Sequence, residues 1–484
     1  VRAAITVVLV LMLGACTAED SEIGIVCAPT TTAVRLVDVA GSRPSVGLLR
    51  GQLWVSWAIS TGDPDVDIVE GAWFDEDLEA FDAATLGQYG GGPATGWVSD
   101  GTRLWGALGL VPDLGSPPCL DLEKNLTLVA VNPMGPIELF PTPLPVSGQR
   151  ECGNPNADSF GVNGRVQGGG RMSASLADGI PVFVGGGAPA DCEDYWASYR
   201  GILFGPAGSV PLEWEPDNHC WDPAGGRDEN YFGLPVVVTT SLGLAVLVRL
   251  SPSNAVSLLA VQDGIVLGSP TVVGRDTITY ENDGGYQPAA VSLADDTILF
   301  TERFNGGVPW SRGTSDNHRH LLRRMHADGT ELRDTPWQMG AMRDGRLVTS
   351  STSLLRVGDG AALLWNERPC YYHAPSGTCL RYGTRITTDV AERLDGEPWN
   401  EGVYLAMLSA DGLRTSEIVR VTDERATALF SPPTDETRTS PFGTDLVFAA
   451  ASEGNRVVVV WQDRRPEAPG IYGRAFTCTP VPVP

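Results

Sequence analysis

The chain has 484 residues, a formal net charge of −25, and 57 glycines and 36 prolines. That length gives one large repeat domain an ample core, and the acidic surface repels phosphate backbones, which excludes nucleic acid as a partner. Lys124 is the only lysine among the 34 Lys and Arg residues, so no P-loop exists and one side chain at most is available for Schiff-base chemistry.

The first element is a leader. Arg2 precedes an apolar run from Ala3 to Leu13, which ends in Gly14-Ala15-Cys16. A basic start, a short apolar core and small residues describe a secretory signal peptide, too short to span a bilayer. Leu13-Gly14-Ala15-Cys16 also resembles the bacterial lipobox, which implies cleavage before Cys16 and acylation of its thiol. The expected organisation is a signal peptide over 1–15, a tether over 16–22 and a single domain over 23–484. The expected location is the cell envelope, with a lipid anchor in the outer membrane; Thr17 after the cysteine favours that sorting.

From residue 23 onward the chain is strand after strand. Seven units repeat a first strand, a turn, a second apolar strand, a loop, a third strand and a second turn. The second strands fall at Leu53–Trp57, Leu104–Leu108, Pro181–Val184, Leu244–Val248, Thr297–Phe300, Ala361–Trp365 and Val457–Trp461. Third strands follow, several closed by Asp-Gly turns such as Asp263-Gly264 and Asp328-Gly329, where both residues tolerate positive φ. Strand-only units at this spacing predict an all-β fold, a seven-bladed β-propeller, with six or eight blades left open by the uneven unit lengths. The seventh unit lacks a fourth strand. Ile23–Cys27 and Ala33–Val37 are available to supply it and so close the ring. The glycine runs Gly90–Gly92, Gly168–Gly170 and Gly185–Gly187 read as turns rather than phosphate cradles.

Setting Cys16 aside leaves eight cysteines. An even set in an exported chain predicts disulfides. The propeller selects Cys27–Cys478 at the closure, Cys119–Cys152 and Cys192–Cys220 across two loops of one face, and Cys370–Cys379 within one loop. No Cys-x-x-Cys is present, which argues against a metal.

The loops between second and third strands hold most of the extra length: Val111–Glu123, Gly185–Asp194, Arg303–Asn317 and Arg368–Trp399. They should gather on one face around the channel mouth, the expected binding face for protein or glycan. An acid-Arg pair recurs at Glu302-Arg303, Glu367-Arg368 and Asp463-Arg464. Two carboxylates are what glycosidase chemistry needs, yet recurrence at equivalent positions reads as a structural tie. Asp63-Pro64-Asp65-Val66-Asp67 lacks the glycine and glutamate of a calcium loop, and Asp316, His318, His320 and His326 read as strand polarity rather than a metal set. No cofactor and no catalytic residue is assigned.

Val459-Val460-Trp461-Gln462-Asp463-Arg464 followed by Ile471-Tyr472 resembles the repeats of bacterial secreted and lipid-anchored propellers of TolB or sialidase type. Pro288–Ser292 with Thr297–Phe300 resembles the first half of the same unit. The resemblance implies a fold; the Ser-x-Asp-x-Gly-x-Thr-Trp box and arginine triad of sialidases are not found. The expectation is a monomeric, lipid-anchored propeller serving as a binding or scaffold module for protein or glycan. The alternative is a glycan-acting hydrolase or lyase with its site at the channel mouth.

Overall fold

The structure is a computed structural model. It describes residues 23–38, 42–60, 67–93, 96–110, 125–143, 173–187, 200–206, 208–212, 235–250, 255–262, 265–267, 271–273, 289–305, 318–330, 332, 337–339, 346–369, 371–373, 378–380, 402–409, 418–423, 448–463 and 468–482. Cys16, Lys124, Cys119, Cys152, Cys192, Cys220 and Cys370 lie outside them, as do the leader, the tether, the Gly168–Gly170 run and most of the long loops.

Among the described residues the fold is all strand, in a β-propeller arrangement of six sheets with four or more antiparallel strands each. The strands form where the sequence alternates or runs apolar, and each sheet is a meander. In Phe448–Glu453, Arg456–Asp463 and Gly470–Pro482, for example, Val460 pairs with Ala449 on one side and Gly473 on the other. Both faces of these middle strands are covered. Val457, Val459 and Trp461 pack toward the sheet of Gly360–Pro369, while Val458 and Val460 pack toward that of Gln52–Ser60. This explains the unbroken Val457–Val460 run: a strand buried on both faces does not alternate. The first strand of each unit touches that of the next. The contacts pass through Ser42–Leu49, Val98–Ser99, Ser173–Ala177, Val236–Thr240, Ala290–Ser292, Arg346–Val357 and Phe448–Glu453, and return to Ser42–Leu49.

The expected seven separate sheets are six, because the first two units share one sheet of eight strands. Ala80–Pro93, at 14 residues, is long enough to pair with Asp67–Phe74 and then, through Tyr89 and Pro93, with Leu104–Leu110. Gly90–Gly92 is therefore strand rather than turn, and so is Gly185–Gly187 within Ile180–Gly187. Glycine brings no side chain to obstruct close pairing, which is what the strands need there. The Arg368–Trp399 loop carries a small hairpin, Tyr371–His373 with Thr378–Leu380, in which Tyr372 faces Cys379.

At the N-terminal end, Ile23–Pro29 and Val34–Val37 both pair antiparallel with Gly470–Pro482. Cys27 stands opposite Cys478, and the two form a disulfide. Thr31 adds to the contact: its hydroxyl accepts from the Ala475 amide at 3.0 Å, and its carbonyl accepts from Arg474 Nε at 3.2 Å.

Candidate functional site

Strand direction gives the propeller two faces. Second strands start at tight turns such as Gly454-Asn455 and run to the opposite, loop-bearing face, so Arg456 lies at the turn face and Asp463 at the mouth face. The turns between third and fourth strands, among them Asn132–Gly135 and Ala327–Gly329, share the turn face.

The turn face is tied together by hydrogen bonds between units. The Glu453 carboxylate accepts from the Arg50 and Gly51 amides at 2.7 and 2.6 Å. Arg50 and Gly51 both have positive φ, 54° and 79°, which aims consecutive N–H groups at one anion. Arg50 Nη2 donates to the Gly101 carbonyl of the next turn, and the Ser241 amide donates to Asp296. These contacts brace neighbouring units against each other.

The mouth end differs. Glu302, Glu367 and Asp463 occupy one register on three sheets that follow each other round the contact order. Glu302 pairs with Leu321, Glu367 with Gly402 and Asp463 with Gly470. Two residues earlier stand Phe300, Trp365 and Trp461, all buried. Trp365 stacks on its cross-strand partner Tyr404, and Trp461 on Tyr472, each pair at 6.1 Å and 22°. Between aromatic and acid come Thr301, Asn366 and Gln462, buried as well. Thr301 Oγ1 accepts from the Ala289 amide at 2.9 Å and lies 3.2 Å from Thr352 Oγ1 on the neighbouring sheet. The repeat thus builds a buried polar layer just below the mouth. Asp463 is 1% exposed and belongs to that layer, which suits a structural tie. Among the described residues the first strands carry no acid before their closing turns, where Glu453 stands, although Arg43, Arg346 and Arg356 are charged.

Among the described residues no group of three metal-ligating side chains converges. His318, His320 and His326 alternate along one strand, opposite Asn305, Arg303 and Thr297.

Sequence reasoning missed one local device. In Ser99-Asp100-Gly101-Thr102-Arg103-Leu104-Trp105 the Asp100 carboxylate accepts from the Thr102 amide and hydroxyl, the Arg103 amide and Trp105 Nε1, at 2.7–2.8 Å. Arg103 covers the Trp105 ring at 4.7 Å and bonds Glu138 at 3.0 Å. The Asp-to-Trp spacing of five was the available signal. Burial opposes ionisation of Asp100, but the donors from Trp105, Thr102 and Arg103 outweigh it and hold the carboxyl at about 2 instead of 3.8. A depressed carboxyl stabilises the fold above its unfolded pKa, and the gain is lost as pH falls from about 3.8 toward 2. Asp100→Asn is expected to lose about 1–2 kcal/mol at pH 7 and to flatten the stability profile between pH 4 and 2. Denaturant titrations across that range check it; an unchanged acid limb contradicts it.

No protein-family model and no curated protein matches the sequence. Solved structures do resemble it. A Dyadobacter fermentans protein of unknown function is 13% identical over 94% of this chain and 100% of that one, with a TM-score of 0.42. An α-L-arabinanase from Penicillium chrysogenum, complexed with arabinobiose, is 10% identical over 93% and 98%, at 0.40. A Trypanosoma rangeli sialidase mutant is 15% identical over 70% and 57%, at 0.34. The likeness is one of strand arrangement and transfers no residue role. The expectation of a non-catalytic binding or scaffold module is corrected at this point: the neighbours whose descriptions carry an activity are glycan hydrolases. Fold alone had left that choice open.

Proposed function

We propose that the chain is a glycan-acting hydrolase whose site lies at the mouth face, with Glu302 and Glu367 as the paired carboxylates. The observation that carries the reading is their shared register at the mouth end of two successive sheets. Glycoside cleavage needs one carboxyl to protonate the leaving oxygen and another to act as nucleophile or base. Asp463, the third acid of the set, is excluded from the role by its burial.

The test is kinetic. Glu302→Gln and Glu367→Gln should each lower kcat on an activated aryl glycoside by at least about 100-fold, with thermal unfolding unchanged. Asp463→Asn should lower stability instead. Full activity in both glutamine variants overturns the assignment.

The same proposal holds that the eight-stranded sheet counts as two blades, giving seven, with the N-terminal strands closing the ring. The unit-to-unit contacts of the first strands support it. It also holds that the domain is exported as a monomer, acylated at Cys16, with Cys119–Cys152, Cys192–Cys220 and Cys370–Cys379 bridged. The leader pattern and the even cysteine set support that part.

A further inference from the structure

The sheet of Glu367 ends in a short motif that the N-terminal segment repeats. Val34-Arg35-Leu36-Val37-Asp38 and Val419-Arg420-Val421-Thr422-Asp423 agree at Val, Arg and Asp. Each pairs with the third strand of its sheet, Arg35 opposite Tyr472 and Arg420 opposite Tyr404. Both arginines therefore continue a row begun by a stacked Trp–Tyr pair. Both also donate from Nη2 to the carbonyl of the aspartate three residues on, at 2.9 Å for Arg35 and 3.1 Å for Arg420.

One row closer to the mouth stand the acids, and there the third strand carries glycine in both sheets. Gly470 is opposite Asp463 and Gly402 opposite Glu367. A Cβ on Gly470 would stand 2.8 Å from Arg35 Nε. One on Gly402 would stand 3.3 Å from Arg420 Nε and 3.0 Å from Tyr404 Cε2. Each glycine is thus a notch that the arginine of the next strand fills. Cross-strand partners have Cβ positions about 4.5–5.5 Å apart, so Arg420 comes to the register of Glu367 across one missing side chain. Glu302 has a full side chain opposite it instead. Its partner is Leu321, followed by Gln338, and Arg323 stands one row lower, opposite Phe300. In the sheet of Asp463 the arginine is committed to the N-terminal strand: Arg35 Nη1 pairs with Asp38 Oδ1 at 3.0 Å, and Nη2 also reaches the Pro469 carbonyl.

We propose that Arg420, seated in the Gly402 notch, is the positioning residue of Glu367 and holds its carboxylate in an ion pair at the mouth end of the sheet. This rests on the reading of Glu302 and Glu367 as the paired carboxylates. A guanidinium fixes the direction of a carboxylate as well as balancing its charge. Direction matters at a reacting centre, where a misplacement of about 1 Å costs on the order of 100-fold in rate.

The experiment has two parts, both on the full chain. The first is a double-mutant cycle in urea unfolding with Glu367→Gln, Arg420→Met and the two together. The effects on the unfolding constant are expected to depart from multiplicative by at least about threefold, whereas the control cycle of Glu302→Gln with Arg420→Met stays within about twofold. The second is kinetic, on an aryl glycoside that the parent cleaves. Arg420→Met should lower kcat by about 10–100-fold with KM unchanged, and Arg420→Lys, which keeps the charge, should recover part of the loss. Gly402→Ala, which fills the notch, should lower kcat in the same direction. A multiplicative Glu367–Arg420 cycle overturns the proposal with or without activity, and so does an Arg420→Met variant with parental kcat. A coupled cycle in a parent that cleaves no glycoside leaves the Arg420–Glu367 pair standing and removes the hydrolase reading alone.

Discussion

Trp97→Ala is expected to destabilise the domain by about 3–5 kcal/mol, the usual cost of deleting a large buried aromatic. Trp97 joins the first two units. Its indole N–H donates to Ser56 Oγ at 3.0 Å, and its ring meets Trp54 edge-on at 5.7 Å. Trp54 lies 5.3 Å from Trp73. Three glycines make room for these rings. A Cβ on Gly106 would come within 2.8 Å of the Trp97 ring, one on Gly47 within 2.6 Å of Trp97 Cβ, and one on Gly71 within 2.2 Å of the Trp54 ring. Gly71→Ala and Gly106→Ala should therefore each cost about 1–3 kcal/mol by overpacking. Gly96, where a Cβ meets nothing within 4 Å, is the control, and Gly96→Ala should be neutral or slightly stabilising. Urea unfolding measures all four. A Trp97→Ala loss below 1 kcal/mol, or equal effects at Gly96 and Gly71, would contradict the packing account.

The second large effect concerns Cys27 and Cys478. Their bridge joins residues 451 apart in sequence, so it restricts nearly the whole unfolded chain. The chain-entropy treatment gives a stabilisation on the order of 5 kcal/mol for such a loop, an upper figure because unfolded chains keep some structure. Cys27→Ser should lower the unfolding temperature markedly under non-reducing conditions and change little under reducing ones. Deleting residues 23–37 should do more. It removes the bridge and also leaves Gly470–Pro482 as an open strand edge, a template for aggregation. Thermal unfolding with light scattering tests both. A deletion variant as stable and monomeric as the parent would show that these strands are a mere tether.

The strands themselves were legible in the sequence because burial on both faces leaves apolar runs that need no tertiary information to find. Val457–Trp461 and Ala361–Trp365 are of this kind. The Cys27–Cys478 pair was legible for a topological reason: both cysteines lie in segments that must meet if a strand-poor last unit is to be completed. The merging of the first two units was not. It depends on Ala80–Pro93 running through the Gly90–Gly92 run, and glycine marks a turn or a close strand approach with equal readiness. The Asp100 turn was overlooked because its bonds join a side chain to backbone amides and an indole, which only the folded hairpin brings within reach. The acid register was visible as a repeated acid-Arg pair, but the sequence could not separate its members. Burial does so for Asp463, which is withdrawn from solvent.

On the proposed hydrolase reading, the mouth face turns over glycans rather than only holding them. The measurement that tests it most directly is release of sugar by the purified domain from a panel of α-L-arabinofuranosides, arabinan, sialosides and other aryl glycosides, followed by chromatography. Catalytic turnover of at least one member is expected, abolished in the Glu302→Gln, Glu367→Gln double variant. Saturable glycan binding with no product from any member, and binding unchanged in the double variant, would contradict it.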